Sequence, residues 1–309
     1  MNGAALTEKP VAPDINPAAA LEPLRAIGRR WPTYLSGIIS ILLLGGLFHE
    51  LASGGLRGLQ TALPLNPLFY VFFAALYSVQ PVSDFIIFRK LWQMPLSGIV
   101  PILRKLVANE VVLGYSGEAY FYAWARSKLN MVATPFAAIK DVSILSAVVG
   151  NIVTLILLGI ATPFAYQMLP ADLVRPILWS ASVIMLMSLG IMAFRGRLFS
   201  LERKELIWVF GVHLLRTLIY TGLLSLCWHL ALPAVPIGIW MILVTSRNLV
   251  SRLPLLPNKD IVFANLALLM VGSDGQVAKL IAITVALTLL CHGIVLALTW
   301  IPNLKRTAV

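Results

Sequence analysis

Windows of about 20 almost wholly apolar residues recur along this chain, each bounded by charged residues. That length matches the hydrocarbon core of a bilayer, about 30 Å thick for a helix rising about 1.5 Å per residue. In hydrocarbon, every backbone N–H and C=O must be satisfied within the structure, so such windows fold as helices or as closed barrels. The strand-period alternation of a barrel is absent. The expectation is an all-α, multi-pass transmembrane helical bundle. Composition agrees: of 309 residues, 59% are hydrophobic and 12% charged, with mean hydropathy +0.87. A soluble domain cannot bury that much apolar surface.

The predicted spans are residues 34–51, 65–88, 141–169, 173–194, 205–232 and 277–301. Arg25, Arg29 and Arg30 precede the first, Arg89 and Lys90 follow the second, and Arg195, Arg197, Arg203 and Lys204 form a short basic loop. Lys305 and Arg306 follow the last span. The positive-inside rule then places both termini in the cytoplasm, at an inner (plasma) membrane. Residues 1–31 are polar and rich in Ala and Pro, and read as a disordered cytoplasmic tail without the early apolar core of a signal peptide. Residues 32–309 read as a single transmembrane domain. The net charge is +11, but the cations cluster between apolar segments. That points to anionic membrane lipid as the partner rather than nucleic acid. A homo-oligomer is compatible with the same reading. Pro81 is expected to kink the second span.

Two stretches break the pattern of full-length spans. The apolar run 98–112 is too short to cross, and the stretch 113–128 after it carries Gly114, Ser116, Gly117, Glu118, Arg126 and Lys128. Cations flank this hairpin on both sides, Arg104 and Lys105 at its entry and Arg126, Lys128 and Lys140 at its exit, so it enters and leaves through the cytoplasmic face. A glycine-broken, half-length pair around an ionisable group is how membrane proteins build a substrate site inside the bilayer. The second such pair has arms 235–249 and 261–271 around a turn holding Arg252, Pro254, Pro257, Asn258, Lys259 and Asp260. It reads equally well as two thin full spans. The order span, span, hairpin, span occurs twice, offset by about 140 residues. It predicts inverted-topology repeats over about 32–170 and 171–303, with the re-entrant hairpins meeting near the midplane. An evenly spaced bundle would give the same offset.

Glu118 is the sharpest candidate for chemistry. A carboxylate at membrane depth costs about 2.5–3.5 kcal/mol or more unless it is paired or solvated. It either bridges to Arg126, Lys140 or Arg216, or lines a polar cavity and orients cations there. Arg216, deep in a span, either pairs with Asp84 or Glu118 or clamps phosphate, which suits a planar guanidinium. Arg247, Arg252 and Lys259 are either positive-inside anchors or ligands for an anionic headgroup. Asp141, beside Lys140, is expected to sit at a helix start and stabilise its dipole. His213 and His292, alone on apolar helices, read as structural. Cys227 and Cys291 fit neither a metal nor a redox spacing, and no metal or cofactor is expected. Ser116-Gly117-Glu118 lacks the Gly-x-Ser-x-Gly pattern of a nucleophile elbow, and there is no nucleotide-type Gly-rich loop, so no catalytic residue is assigned.

With those residues laid out, the chain resembles the transmembrane domain of the lysylphosphatidylglycerol synthase/flippase family. The likeness lies in Gly117-Glu118 after a half-length apolar segment, then Ala119 to Ala125, then Arg126, followed by Lys140-Asp141. Leu253-Pro254-Leu255-Leu256-Pro257-Asn258 stands where the family has a Pro-Gly-Gly-type turn, without its glycines, and Ala264 or Asn265 replaces the acidic residue after it. The resemblance covers roughly residues 34–302, mostly as a hydropathy pattern. It implies a lipid-translocating or lipid-glycan-associated protein with two facing re-entrant hairpins. It does not imply the synthase activity of longer members, since no soluble aminoacyl-transferase domain is seen. The expected function is a flippase whose headgroup site is built from Glu118, Arg126, Arg216, Arg247 and Arg252. Arg216, Arg247 and Arg252 would meet phosphate, and Glu118 would hold those cations in place. The competing readings are an integral-membrane enzyme on a lipid-linked substrate, using Glu118, Asp141 or His213, and a non-catalytic membrane subunit.

Overall fold

The computed structural model describes residues 63–112, 115–128, 134–168, 199–252, 259–271 and 275–304, with a few single positions between 179 and 190. The predicted tail 1–31, the span 34–51, all but those positions of the span 173–194, and the turn 253–258 lie outside the described residues.

Helix α1 (Pro67–Trp92) starts where the local chemistry says it should. Asn66 caps it, its side-chain oxygen accepting the Leu68 N–H at 3.0 Å, and Pro67 stands at the first position, where its missing N–H is not needed. Arg89 and Lys90 lie in the last turn, against the negative end of the helix dipole, and Gln93 stops it in a left-handed conformation (φ 51°). The helix runs through Pro81, one turn past the predicted end of the span. A 3-10 turn (Leu96–Gly98) then leads into a short helix α2 (Ile99–Val107), which widens to a π-helical turn at Ala108–Val112. A second short helix, α3 (Ser116–Lys128), returns.

The remaining helices are α4 (Thr134–Met168), α5 (Arg203–Ala231), α6 (Ile237–Ser251), α7 (Lys259–Val271) and α8 (Gln276–Leu304). Among the described residues there is no strand. Helices α1, α4, α5 and α8 are long and apolar enough to cross a membrane, so the chain is a membrane protein with an all-α bundle. The four shorter helices fall below the roughly 20 residues a crossing needs.

Helix α4 begins well before Asp141, at Thr134-Pro135, a sequence suited to a helix start. Asp141 is therefore about two turns inside, and the helix-start role expected for it does not hold. It is fully buried, and its Oδ2 accepts the backbone N–H of Ser200 and of Leu201 at 2.6 and 2.7 Å. These two bonds tie the strap leading into α5 onto α4. Lys140 Nζ sits 3.3 Å from the same carboxylate and 3.2 Å from Ser200 Oγ.

The packing is reciprocal. Helix α1 lies along α5, and α4 along α5 as well. The first short helix of each pair packs on a long helix outside its own pair: α2 on α8, and α6 on α4. Each short pair closes on itself, α2 on α3 and α6 on α7. One core cluster joins Phe73, Val153, Trp228, Trp240, Phe263 and Ile281, and a second joins Ile87, Phe88, Ile102, Phe121 and Leu145. The rings at the foot of the first pair explain the aromatic run: Phe121 stacks between Trp92 and Trp124, with centroids 5.6 and 5.5 Å away. Val71, Ile86, Ile156, Ile207, Leu215 and Leu290 face outward, while Asp84 and Lys105 are 4% and 5% exposed. Apolar outside and ionic inside is the reverse of a soluble protein and is what a hydrocarbon solvent selects.

Candidate functional site

All eight helices contribute side chains to a cavity of about 280 Å³. Its basic groups are Lys105, Arg216, Arg247, Arg252 and Lys259, and its acidic groups Asp84, Glu110, Glu118 and Asp260. In low dielectric, charges of this kind persist only when partnered, so the partners define the site.

The first pair of short helices owes its closeness to Gly117. A methyl group there would strike the Lys105 carbonyl and the Asn109 side chain, so only glycine lets α3 start against the end of α2. The Gly117 N–H donates to Asn109 Oδ1 at 2.7 Å, and Ser116 Oγ donates to the Ala108 carbonyl at 2.7 Å. This contact brings Glu118 to Lys105, 3.5 Å away. The Gly-Glu pair thus acts as a unit: the glycine permits the approach that gives the acid its cation. The expected partners are Arg126, Lys140 or Arg216; the ion pair the structure gives is with Lys105.

Lys105 also donates to Asp84 at 2.7 Å. Asp84 in turn holds Arg216, 3.4 Å away, and Arg216 donates to Ser146 Oγ at 2.8 Å. Four elements are joined in this way around one buried carboxylate. On the opposite wall Arg247 donates to Asp260 at 2.6 Å, with its guanidinium 4.8 Å from the Tyr220 ring centroid. The expectation that Glu118 holds the three arginines is corrected: Asp84 holds Arg216, and Asp260 holds Arg247.

Two cations remain outside any ion pair among the described residues. Arg252 donates to Ser251 Oγ at 2.8 and 3.0 Å and to the Asn248 carbonyl at 3.4 Å, all neutral acceptors. Its guanidinium lies directly against Gly150 of α4, where any side chain would displace it. Lys259 donates to the Ser251 carbonyl at 2.8 Å. Among the described residues neither forms an ion pair. Nor does Glu110, which sits on the π-helical turn, a helix defect common at functional sites.

Of the expected site residues, Glu118, Arg216, Arg247 and Arg252 line the cavity. Arg126 does not line it; it is exposed and donates to Tyr122 Oη at 3.3 Å. His213 and His292, read from sequence as structural, both line the cavity; His213 Nε2 lies 3.1 Å from the Val142 carbonyl and His292 Nδ1 2.9 Å from Tyr77 Oη. Sequence reasoning misses Lys105, Glu110 and Asp260 as cavity groups. In sequence Lys105 is a flanking charge and Asp260 a turn residue. Glu110 carries a signal as strong as that of Glu118, an acid in a short apolar run. Gly150 carries none. Among the described residues no group of three or more His, Cys, Asp or Glu is placed to hold a metal.

The arrangement can neutralise an anion at Arg252 and Lys259 without breaking an existing ion pair. No protein-family model, curated protein or solved structure matches the chain, so the likeness to the lysylphosphatidylglycerol synthase/flippase domain rests on the short motifs and the hydropathy pattern.

Proposed function

We propose that this protein is a membrane lipid transporter of the flippase type, which carries an anionic headgroup through the cavity while the acyl chains stay in the bilayer. The observation that carries this reading is the pair Arg252 and Lys259, two cations that line the cavity and form no ion pair among the described residues. A cation at membrane depth is expensive unless something compensates it. A phosphate would do so, and a guanidinium offers it a matched fork of donors. The barrier to lipid movement is headgroup desolvation, which a polar, ion-lined cavity lowers.

In this reading the two short-helix pairs are re-entrant hairpins from opposite faces, and the halves are inverted repeats. The reciprocal packing of α2 on α8 and of α6 on α4 supports that, since an in-plane pseudo-twofold axis exchanges those contacts. Both termini lie in the cytoplasm, and the membrane is an inner membrane, as the basic loops favour.

The test is translocation of a fluorescent anionic phospholipid in proteoliposomes, read by dithionite quenching. Arg252→Ala should lose most of the rate while inserting and folding normally, and Glu118→Ala should lose it too. Translocation at the parental rate in a folded Arg252→Ala protein would remove the basis for the reading.

A further inference from the structure

Of the four carboxylates in the cavity, three are engaged: Asp84 by Lys105 and Arg216, Glu118 by Lys105, and Asp260 by Arg247. Glu110 is the exception. It lines the cavity and is only partly buried, and no described side chain or backbone group bonds to it. It is nonetheless surrounded by charge. Lys259 and Asp260 of α7, Arg247 of α6 and Glu118 of α3 lie within its electrostatic reach, as do the hydroxyls of Tyr77 and Tyr220. His292, on α8, is already bonded to that Tyr77 hydroxyl.

This placement sets up a competition. Lys259 is one of the two cations free to receive a phosphate, and Glu110 is an anion beside it. A phosphate and an ionised Glu110 repel one another in low dielectric and draw on the same positive charge. The other three acids can lose their charge only by abandoning an ion pair, whereas Glu110 can lose it without breaking any contact. A protonated Glu110 also gains an O–H donor to offer the phosphate oxygens.

Resting on the headgroup reading above, we propose that Glu110 is a proton site coupled to that of the anion, so that binding a phosphate headgroup takes up one proton there. The proton comes from water entering the cavity, adds to a carboxylate oxygen, and leaves when the headgroup leaves. No other bond changes. Lipid movement is then driven by a pH gradient, with the proton and the headgroup travelling the same way.

The deciding experiment is calorimetric titration of the detergent-solubilised protein with dihexanoyl phosphatidylglycerol, in buffers of different ionisation enthalpy, at several pH values spanning neutrality. The dependence of the heat on the buffer counts protons. The expected result is an uptake of about one proton per lipid, lost in Glu110→Gln, which still binds. Binding by the parental protein without proton uptake at any pH overturns the coupling and leaves the anion site standing. Uptake that persists undiminished in Glu110→Gln overturns the assignment to this residue. No binding by the parental protein overturns both readings. In proteoliposomes, an imposed pH gradient should change the parental rate of lipid movement and leave the Glu110→Gln rate unchanged.

Discussion

Substitution of Asp141 by alanine separates two roles for one residue by magnitude alone. As a helix-start charge it would be worth about 0.3–1 kcal/mol. In the structure it acts instead as a clamp, one buried oxygen receiving the backbone N–H groups of Ser200 and Leu201 at 2.6 and 2.7 Å. Asp141→Ala removes the acceptor of two donors that water can reach in part, Ser200 being exposed and Leu201 half-buried, at about 0.5–1.5 kcal/mol each, so the loss should be about 1–3 kcal/mol. The ion pair with Lys140 adds little, because that side chain is partly exposed. Asp141→Asn keeps an acceptor and should cost less. The measurement is SDS-driven unfolding in mixed micelles, paired with hydrogen exchange at the Ser200 and Leu201 amides. The strap these amides belong to sets the start of α5, which carries His213, Arg216 and Tyr220 into the cavity. Asp141→Ala should therefore also weaken anion binding, although it lies outside the cavity lining. A loss under about 1 kcal/mol with both amides still protected would refute the clamp.

Arg247 and Arg252 look alike in sequence but should behave differently. Arg247→Ala strands Asp260, and should destabilise toward the low end of about 3–5 kcal/mol, since both side chains are partly exposed. Arg252→Ala strands no acid, so its unfolding free energy should stay within about 1 kcal/mol of the parent. Its affinity for a short-chain anionic lipid should fall roughly 10- to 100-fold, the worth of one charge-assisted hydrogen bond. Gly150→Ala keeps every charge but puts a methyl where the Arg252 guanidinium lies. It should copy the binding defect of Arg252→Ala by titration calorimetry while leaving Asp260 paired. Gly117→Ala drives a methyl into the Lys105 carbonyl and should cost about 1–3 kcal/mol as overpacking, measured by the same SDS unfolding.

Much of the scaffold is legible in the sequence because its cause is local. An apolar run of a given length between charges makes a spanning helix whatever its neighbours are, and α1, α5, α6 and α8 begin within a few residues of the predicted positions. The short pairs are legible for the same reason, as is the placing of Glu118 and Arg216 inside the bundle, where both line the cavity. The start of α4 differs from expectation because Lys140-Asp141 resembles a helix start, and Thr134-Pro135, a better one, sits in a polar stretch that hydropathy discounts.

What the chain cannot announce by itself is which charge meets which. Hydropathy gives a residue's depth in the bundle but not the direction its side chain points about the helix axis, nor which helix faces it. Asp84 meets Lys105 from 21 residues away and Arg216 from 132, because α1 packs between α2 and α5. Packing alone thus turns Lys105 from a flanking charge into the hub of two ion pairs. It sets Arg252 against Gly150 with no acid to hold it, and leaves Glu110 the one cavity carboxylate without an ion pair among the described residues. Sequence alone determined that this chain crosses a membrane and carries charge into it. Tertiary structure decided which of those charges are spent on one another and which are left for a ligand, because pairing in low dielectric depends on distances of a few ångströms that only the packed helices set.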